Sequence, residues 1–538
     1  MKRLKKILLS LQFHYPLGLL LMVLYVPLIG VYINFQQVEW NELIILACWI
    51  PIGMIPYNLF KKKILYKLLI IFFFIGGFIN LSHWLLLKGE ITASSLFVLA
   101  NTNLSETVEF LSLKGSLRLL FLIPYLFLFV YAIKNFPFGI NNMLNKYFTF
   151  GIFLFISIYF IDNIVHVRFL RKAVPATSEA FIHFTKEMGV TNSLKKRKVK
   201  KVSVEITNKK NHVFVLILGE SCSRNHMSLY NYARETTPKL EKRKDIFVYN
   251  NVVTSHSNTF SSIWMMFTTM NLENDQNKTN CISLMDVFHS AGFQTYWISN
   301  QIPIGIWDND VYNLAQTSNV VVFKNIQANS SFESTLKSSF DEILINPFRE
   351  ALFEKQSNKF IVLHLMGNHS KYSKRYPPNF QIFTNNSSKK TTVVNEYDNS
   401  MIYTDFIVDS IFTLLYQQSI IDTNTLYSAI FLSDHGENVY DELNDAGHNF
   451  NGSLPKSNVE IPFVVWLSSQ YANYNSNKTK FINQNKDLPF VTDDLFHAVI
   501  DMNDIKTLYL QENRSIFNAK YNTKRKRILE DNQDYDLK

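Results

Sequence analysis

Three short apolar segments of the chain each end in side chains that could bind a metal. The segments and the residues that follow them are His212 to Leu218 with Glu220, Phe360 to Leu365 with His369, and Leu426 to Leu432 with Asp434, His435 and Glu437. A further imidazole, that of His448, comes thirteen residues after His435. Carboxylates combined with imidazoles suit zinc, whereas magnesium and manganese prefer oxygen ligands. The sequence therefore predicts a zinc site where these segments end together.

A hydroxyl-rich stretch, Thr254 to Ser262, leads into an apolar segment of helical length. Asn258 or Thr259 is predicted to cap this helix, where backbone N–H groups and the positive end of the dipole favour a bound phosphate. A metal bound to one of these hydroxyls would lower its pKa and make it nucleophilic. The pattern alone leaves Ser257, Thr259 and Ser261 as candidate nucleophiles.

Beyond residue 212, short apolar segments alternate with segments of helical length. The predicted strands are His212 to Leu218, Thr295 to Ser299, Val320 to Phe323, Phe360 to Leu365, Leu426 to Leu432 and Ile461 to Leu467. The predicted helices are Ser334 to Phe353, Tyr397 to Gln417 and Asp493 to Asp501. This alternation is typical of an α/β domain with a largely parallel sheet and helices on both faces. Ligands bind beyond the carboxyl ends of the strands in such sheets, where the three polar ends would meet.

The first 165 residues contain five apolar runs, each close to the roughly 20 residues that cross a bilayer as a helix. The runs are Tyr15 to Asn34, Leu43 to Phe60, Ile64 to Leu87, Leu117 to Ile133 and Tyr147 to Val165. We therefore divide the chain into a five-helix transmembrane domain (1–165), an interfacial linker (166–211) and a catalytic domain (212–538). The linker is basic at Lys195 to Lys201, which suits anionic head groups, although a solvated charge run has the same composition.

Clusters of lysine and arginine orient the predicted membrane domain. Lys2 to Lys6 precede the first run, Lys61 to Lys67 begin at the end of the second, and Lys134 and Lys146 flank the loop before the fifth. The opposite loop at Gln36 to Glu42 is acidic. Because basic loops stay in the cytoplasm, the amino terminus is predicted to be cytoplasmic. Five crossings then place the catalytic domain outside the cytoplasm.

The composition excludes several other classes of protein. Of 538 residues, 47% are hydrophobic and 18% are charged, which excludes a disordered polar chain. The basic residues behind the net charge of +10 are scattered or flank apolar runs and form no nucleic-acid-binding motif, so we predict no nucleic-acid partner. Three cysteines can form at most one bridge, which excludes a disulfide scaffold.

The order of these motifs resembles that of the membrane-bound phosphoethanolamine transferases of Gram-negative bacteria, in the alkaline phosphatase and sulfatase superfamily. The matching stretches are Leu218 to Ser221, Tyr230 to Pro238, the loop at Thr259, His364 to His369, Tyr397 to Ser400 and Ser433 to Glu437. Each motif alone is weak evidence for the family, but their order and spacing together are strong evidence. With the five apolar runs, the match covers nearly the whole chain. The resemblance implies a sulfatase-like α/β/α catalytic domain behind five membrane helices.

The resemblance also implies roles for particular residues. Thr259 would be the nucleophile that carries phosphoethanolamine, and the ligands of one tightly bound zinc ion would be Glu220, Thr259, Asp434 and His435. A second metal stays open as an alternative. The other implied positions are His369 and His448 for phosphate binding or acid–base catalysis, Asn300 in the substrate pocket, and Thr102 with Glu106 for the ethanolamine head of the donor.

By the same resemblance, phosphatidylethanolamine is the donor, and the acceptor is a cell-envelope glycolipid, either lipopolysaccharide core or lipid A. We expect a monomer in the bacterial inner membrane, in contact with membrane lipids and with its catalytic domain in the periplasm. The alternatives are a phosphoglycerol transferase of the lipoteichoic acid synthase type and a membrane-tethered sulfatase or phosphodiesterase. Tyr232 to Pro238 and Glu106 favour ethanolamine, and the Thr259 loop lacks the Cys/Ser-x-Pro-x-Arg setting of a sulfatase nucleophile.

Some positions depart from the pattern of the lipid A enzymes. Ser255 and Met265 stand where those enzymes have cysteines that bracket the nucleophile, and Ile304 stands near a lysine position of some members. The amino-acid sequences of Trp297 to Gln301 and of His364 to His369 are more similar to those of the branch that acts on core sugars than to those of the lipid A branch. These departures concern the acceptor and leave the reaction type unchanged.

The lysine clusters generate a prediction about topology. Reporter fusions after about residues 62 and 140 should report cytoplasm, and fusions after about residues 105 and 210 should report periplasm, because basic loops are retained inside. Paired alkaline phosphatase and fluorescent-protein fusions measure this directly. A periplasmic signal at Lys62 would overturn the five-helix arrangement.

Overall fold

The computed structural model describes residues 63–87, 96, 116–134, 181, 182, 185 and 197–537, with gaps at 275, 302–309, 326–338, 386 and 449–453. The described residues up to 185 belong to one compact unit, and those from 197 onward belong to a second. The first, second and fifth predicted membrane runs lie outside the described residues, as do Thr102 and Glu106.

The first unit contains two described helices, α1 (Lys63–Leu87) and α2 (Leu122–Lys134), the latter preceded by the 3₁₀ turn Ser116–Phe121. They coincide with the third and fourth predicted runs. The rings of Phe74 and Phe129 stack between them with centroids 3.6 Å apart. Within the described ranges, no helix combines the length and the apolarity required to cross a membrane.

The second unit carries all of the described strands. They are β1 (Val204–Ile206), β2 (His212–Gly219), β3 (Ile246–Val248), β4 (Val252–Val253), β5 (Gln294–Ser299), β6 (Val320–Phe323), β7 (Lys359–His364), β8 (Leu426–Ser433), β9 (Asn438–Val439), β10 (Ala446–Gly447), β11 (Phe463–Leu467), β12 (Phe490–Val491), β13 (Ile505–Thr507), β14 (Ile528–Leu529) and β15 (Gln533–Asp534). Its described α-helices are α3 (Pro238–Lys242), α4 (Thr259–Phe267), α5 (Leu284–Ser290), α6 (Asp310–Ala315), α7 (Ile345–Phe353), α8 (Lys389–Ile421), α9 (Ser469–Tyr474), α10 (Ser476–Gln484) and α11 (Leu495–Met502).

Seven strands form the central sheet in the order β3-β11-β8-β2-β7-β5-β6. Strands β8, β2, β7, β5 and β6 run parallel to one another, whereas β11 is antiparallel to both of its neighbours. The predicted largely parallel sheet is therefore confirmed. The register aligns the strand ends that matter for chemistry, since Leu218 lies opposite both His364 and Leu432.

Hydrophobic side chains cover both faces of the sheet, as the alternation of β2 requires. Phe214, Leu216 and Leu218 belong to the cluster that includes α4, α5 and α11, while Val213 and Val215 belong to the cluster that includes α7 and α8. Side chains alternate across a strand, so a strand that is apolar throughout must be covered on both faces. The predicted three-layer arrangement follows from this pattern.

Two predicted helix boundaries need correction. The predicted start at Ser334 lies outside the described residues, but residues 339 and 340 are not helical, and helical structure in the described part begins with the 3₁₀ turn at Asp341. Ser339 instead exchanges hydrogen bonds with the side chain of Asn300. In the other direction, α8 begins eight residues before Tyr397, where Ser388 caps it by accepting from the N–H of Thr391.

Part of the predicted basic linker belongs to the second unit. Arg197 forms a 2.6 Å ion pair with Asp286 in which the side chains are only 3% and 0% exposed. Strand β1 pairs with β13. Cys222 and Cys281 are both buried and both free, so they form no disulfide with each other.

The aromatic packing on the face of the sheet near α5 generates a stability prediction. Phe288 is fully buried and stacks on Phe360, with ring centroids 4.2 Å apart. Phe288→Ala should lower the free energy of unfolding by about 3–5 kcal/mol, because the cavity cannot be refilled by its close-packed neighbours. Phe353→Ala is the matched control, since Phe353 is 55% exposed, and its effect should stay within about 0.5 kcal/mol. Equal shifts in denaturant unfolding would contradict the described packing.

Candidate metal centre and nucleophile

The end of β2 places Glu220 at the carboxyl edge of the sheet. The next residue, Ser221, adopts a left-handed φ of 54°, which turns the chain sharply after the strand. The hydroxyl of Ser221 donates to Glu220 Oε1 at 2.8 Å. A non-glycine residue in this region is held there by its surroundings, and the hydroxyl of Tyr397 anchors it by donating to the Ser221 carbonyl.

The end of β8, next to β2, supplies Asp434 and His435. Both side chains are fully buried. Asp434 Oδ1 accepts hydrogen bonds from the N–H groups of Ser221 and His435, at 3.1 and 2.7 Å. Its other oxygen, Oδ2, is buried without a hydrogen-bond partner among the described residues.

His435 is held in a defined orientation. Its Nδ1 lies 2.8 Å from the carbonyl oxygen of Gly436, to which Nδ1–H donates. Its Nε2 lies 3.4 Å from Glu220 Oε1 and 3.4 Å from Asp434 Oδ2. A carbonyl acceptor at one ring nitrogen is the arrangement that presents the other nitrogen to a metal.

Thr259 joins this cluster as the first residue of α4. Asn258 is the N-cap, because its side chain accepts from the N–H of Ser261. The hydroxyl Oγ1 of Thr259 lies 3.3 Å from Glu220 Oε2 and 3.3 Å from His435 Nε2. The hydroxyl of Ser257 points elsewhere and donates to Glu530. The structure thus brings Thr259, and not Ser257, to the predicted zinc ligands.

The electrostatics of the cluster favour a cation. Burial raises the pKa of Asp434, and the charge of Glu220 raises it further, to about 7. Burial alone would lower the pKa of His435, but the charges of Asp434 and Glu220 outweigh it and raise the pKa to about 10. Burial would also raise the pKa of Glu220, but the hydrogen bond and charge of His435 hold it below its usual range. The two carboxylates therefore stabilise positive charge between them.

The donor set also fits zinc. The ligand atoms of Glu220, Asp434 and His435 all lie within 4.8 Å of one another. Two carboxylates and an imidazole, with the hydroxyl of Thr259 beside them, match the nitrogen and oxygen ligands of zinc sites. The unpartnered Oδ2 of Asp434 is an oxygen that a bound ion would satisfy.

A second group of potential ligands adjoins the first. Its members, His435, Glu437 and His448, also lie within 4.8 Å of one another. The oxygens of Glu437 already accept hydrogen bonds, Oε1 from the hydroxyl of Tyr372 and Oε2 from Nδ1 of His448, both at 2.6 Å. Glu437 therefore orients His448 in this structure, and the His448 ring lies 4.3 Å from that of His435.

The loop after β7 carries His369 and packs on the backbone of Glu220. The N–H of Asn368 donates to the Glu220 carbonyl at 2.9 Å. Gly367, at φ 52°, leaves no room for a Cβ, which would lie 2.8 Å from the Glu220 nitrogen. His369 is close enough for its charge to lower the pKa of Glu220.

Asn300 is fully buried and supports that loop indirectly. Its side chain donates to Asp341 Oδ1 at 2.9 Å, and Asp341 in turn accepts from the N–H groups of Met366 and Gly367. Its role in substrate binding stays a prediction. Sequence reasoning missed the supporting residues Asp341, Tyr372 and Glu530, because each acts through contacts distant in the chain.

Comparison with known proteins identifies the family. A family model described as Sulfatase matches residues 212–505, more than half of the chain. The chain is a member of the sulfatase family. The phosphoethanolamine transferase EptC of Escherichia coli strain K12 is 29% identical over 320 residues, which cover 57% of this chain and 53% of EptC. The phosphoethanolamine transferase EptA of the same strain is 28% identical over 319 residues, covering 56% of this chain and 55% of EptA. The chain thus spans about half the length of the curated relatives it matches.

Two solved structures share the fold. The C-terminal periplasmic domain of E. coli EptC, solved in complex with zinc, is 27% identical and covers 62% of this chain and 96% of that domain, with a TM-score of 0.56. The integral membrane protein lipooligosaccharide phosphoethanolamine transferase A from Neisseria meningitidis is 18% identical and covers 94% of this chain and 98% of that chain, with a TM-score of 0.70. The resemblance to phosphoethanolamine transferases is confirmed.

The buried carboxylates generate a prediction about metal content. Asp434→Ala should lower the affinity for zinc by more than the 10–100-fold typical of supporting residues, because it removes a charged ligand. Elemental analysis of the purified protein measures the bound zinc. The control is Asp422→Ala, since Asp422 caps the end of α8 and belongs to neither ligand group. Unchanged zinc content in the Asp434 variant would refute the ligand assignment.

Proposed function

We propose that the protein transfers phosphoethanolamine from phosphatidylethanolamine to a cell-envelope glycolipid through a covalent intermediate on Thr259. One observation carries the proposal. The Thr259 hydroxyl lies 3.3 Å from both Glu220 and His435, and His435 Nε2 lies 3.4 Å from Asp434 Oδ2, which accepts no hydrogen bond from a described residue. This geometry supports a nucleophile next to a cation site, which is what phosphoryl transfer needs.

The transfer takes place in two displacements. In the first, Thr259 Oγ1 attacks the phosphorus, the bond from phosphorus to the diacylglycerol oxygen breaks, and the hydroxyl proton of Thr259 passes to that leaving oxygen. In the second, an acceptor hydroxyl attacks the phosphorus, the bond to Thr259 breaks, and the threonine oxygen regains a proton from the acceptor. Zinc, held by Glu220, Asp434 and His435 with Thr259, supplies positive charge to the nucleophile and the phosphoryl oxygens when it is bound.

The histidines at the rim would move the protons and hold the phosphate. Nδ1 of His448 is bonded to Glu437, which leaves Nε2 for a proton or a phosphoryl oxygen. Buried carboxylate partners of this kind orient a catalytic imidazole. His369 lies on the loop that packs on Glu220, and we assign it to the phosphoryl group. The alternative to these roles is a second metal bound by His435, Glu437 and His448. Glu437 would then have to give up a hydrogen bond from Tyr372 or His448 to bind that metal.

A membrane location agrees with this chemistry, since both substrates are lipids. Helix α2 and the 3₁₀ turn before it expose large apolar side chains. Phe121 of the turn is 72% exposed, and Phe127 of the helix is 71% exposed. Exposed aromatic side chains of this kind suit contact with lipid. We place the protein in the bacterial inner membrane as a monomer with five membrane helices, with the catalytic domain in the periplasm and Thr102 and Glu106 near the donor head group. Asn300 would line the pocket. The acceptor is lipopolysaccharide core or lipid A.

The nucleophile assignment generates a prediction. Thr259→Ala should reduce release of diacylglycerol from phosphatidylethanolamine by about 10³-fold or more and abolish a phosphoethanolamine adduct on the protein. The fold should persist, because the N-cap of the helix is Asn258 and not Thr259. The substitution therefore does not remove the cap, whose loss would cost about 0.5–2 kcal/mol. Mass spectrometry of the protein after incubation with phosphatidylethanolamine locates the adduct.

Two further variants control this experiment. Thr259→Ser keeps a hydroxyl and should retain part of the activity. Ser261→Ala removes a neighbouring hydroxyl of the same helix, but only the backbone N–H of Ser261 bonds to the Asn258 cap, so its effect should be small. Full diacylglycerol release by Thr259→Ala together with loss in Ser261→Ala would reassign the nucleophile. Full activity in both Thr259→Ala and Ser261→Ala would refute the two-step mechanism.

A further inference from the structure

Glu530 lies at the tip of a short hairpin near the carboxyl terminus, beyond residue 505 where the match to the sulfatase family ends. The hairpin consists of β14 and β15, and Glu530 is the first residue of its turn. Asp531 and Asn532 close this turn with left-handed φ angles of 58° and 56°. Aspartate and asparagine tolerate such angles better than other non-glycine residues. The turn therefore has a defined geometry.

The hairpin tip contacts the nucleophile loop directly. The N–H of Glu530 donates to the Ser255 carbonyl at 2.9 Å. In return, Glu530 Oε1 accepts from the N–H of Ser257 at 3.0 Å and from the Ser257 hydroxyl. Ser257 precedes Thr259 by two residues, so their Cα atoms are at most about 7 Å apart. Glu530 therefore contacts the loop that carries the proposed nucleophile, two residues before Thr259.

Ion pairs hold the segment that carries this hairpin. Arg525 binds both Asp493 and Asp494 at 2.8 Å, and both aspartate side chains are fully buried. Leu529, next to Glu530, is fully buried against Val253 and Val491. Breaking a buried pair leaves an uncompensated charge, which is costly. The position of Glu530 is thus set by contacts on both sides of the hairpin.

Only one of the two carboxylate oxygens of Glu530 accepts hydrogen bonds from described residues. Its side chain is half-buried, and burial raises the pKa of its carboxyl, opposed by the hydrogen bonds from Ser257 and by the charge of His435. Across the described chain, neither lysine nor arginine forms an ion pair with it, and Oε2 has no hydrogen bond to a described residue. A carboxylate that is partly removed from water gains stability from a cationic partner. The nucleophile loop therefore adjoins a carboxylate oxygen that no lysine or arginine of the described chain pairs.

We infer that Glu530 binds the ammonium group of the phosphoethanolamine carried by Thr259. The inference rests on the proposed function. A two-carbon arm separates phosphate from ammonium in this group, which matches a carboxylate placed beside the loop that bears the nucleophile. Oε1 stays on Ser257, and Oε2 accepts from the ammonium. Glu106, assigned by resemblance to the head group of the donor lipid, would act before transfer, whereas Glu530 acts on the group once it is attached.

The experiment compares two chromogenic esters on the full-length protein. One is the 4-nitrophenyl ester of phosphoethanolamine, and the other is the 4-nitrophenyl ester of propyl phosphate, which has the same length and no ammonium. The wild type should prefer the ammonium ester by about tenfold or more in kcat/KM, as expected for a hydrogen bond to a charged group. Glu530→Gln should remove most of this preference and leave the propyl ester within about twofold of the wild type, because the amide oxygen still accepts from Ser257.

Further variants and a mass measurement separate the outcomes. If Glu530 only fixes the nucleophile loop, Glu530→Ala slows both esters alike and Glu530→Gln restores both, which overturns the inference. Glu512→Gln is the control, because Glu512 is an exposed carboxylate of the same segment paired with Lys520. A wild type that forms the Thr259 adduct without preferring the ammonium ester refutes this inference alone. A wild type that forms no adduct from either ester refutes the proposed function and the inference with it.

Discussion

Buried negative charge at the carboxyl edge of the sheet is the constraint on which the rest of the site depends. Glu220 and Asp434 lie out of contact with water, and His435 lies between them. Charges in such a place are stable only when they are paired and hydrogen-bonded. The raised pKa values of Asp434 and His435 express this demand for positive charge. A bound cation, such as the proposed zinc ion, would meet this demand.

The parallel register of the sheet makes this concentration of charge possible. Gly219 lies opposite Ser433, so the residues after β2 and β8 start from the same level. The backbone N–H groups of Ser221 and His435 then donate to Asp434 Oδ1. The other oxygen, Oδ2, is left facing Nε2 of His435. Hydrogen bonds to backbone groups fix a carboxylate more firmly than packing does, because their directions are limited. The first ligand set is therefore preorganised.

Elements far apart in sequence complete the site around these strands. Tyr372 holds Glu437, which orients His448, and the hairpin of Glu530 holds the nucleophile loop. The buried pairs of Arg525 tie that hairpin to the start of α11. Buried ion pairs contribute little net stability, but they penalise alternative positions strongly. Their value here is geometric, since the proposed phosphoryl transfer would be slowed by a misplacement of about 1 Å.

Periodicity in the sequence determined the strands β2, β5, β6, β7 and β8 and the α/β class, because a strand buried on both faces must be apolar throughout. It also placed Glu220, His369, Asp434, His435 and Glu437 at one edge of the sheet, and the resemblance selected Glu220, Asp434 and His435 among them as metal ligands. Among the hydroxyls, it left Ser257, Thr259 and Ser261 open, and only resemblance favoured Thr259. The direction of β11, the support of Asn300 by Asp341 and the approach of Glu530 to Ser257 were decided by tertiary structure alone. Each joins residues far apart in the chain, and no local pattern encodes which distant segment will fill a given space.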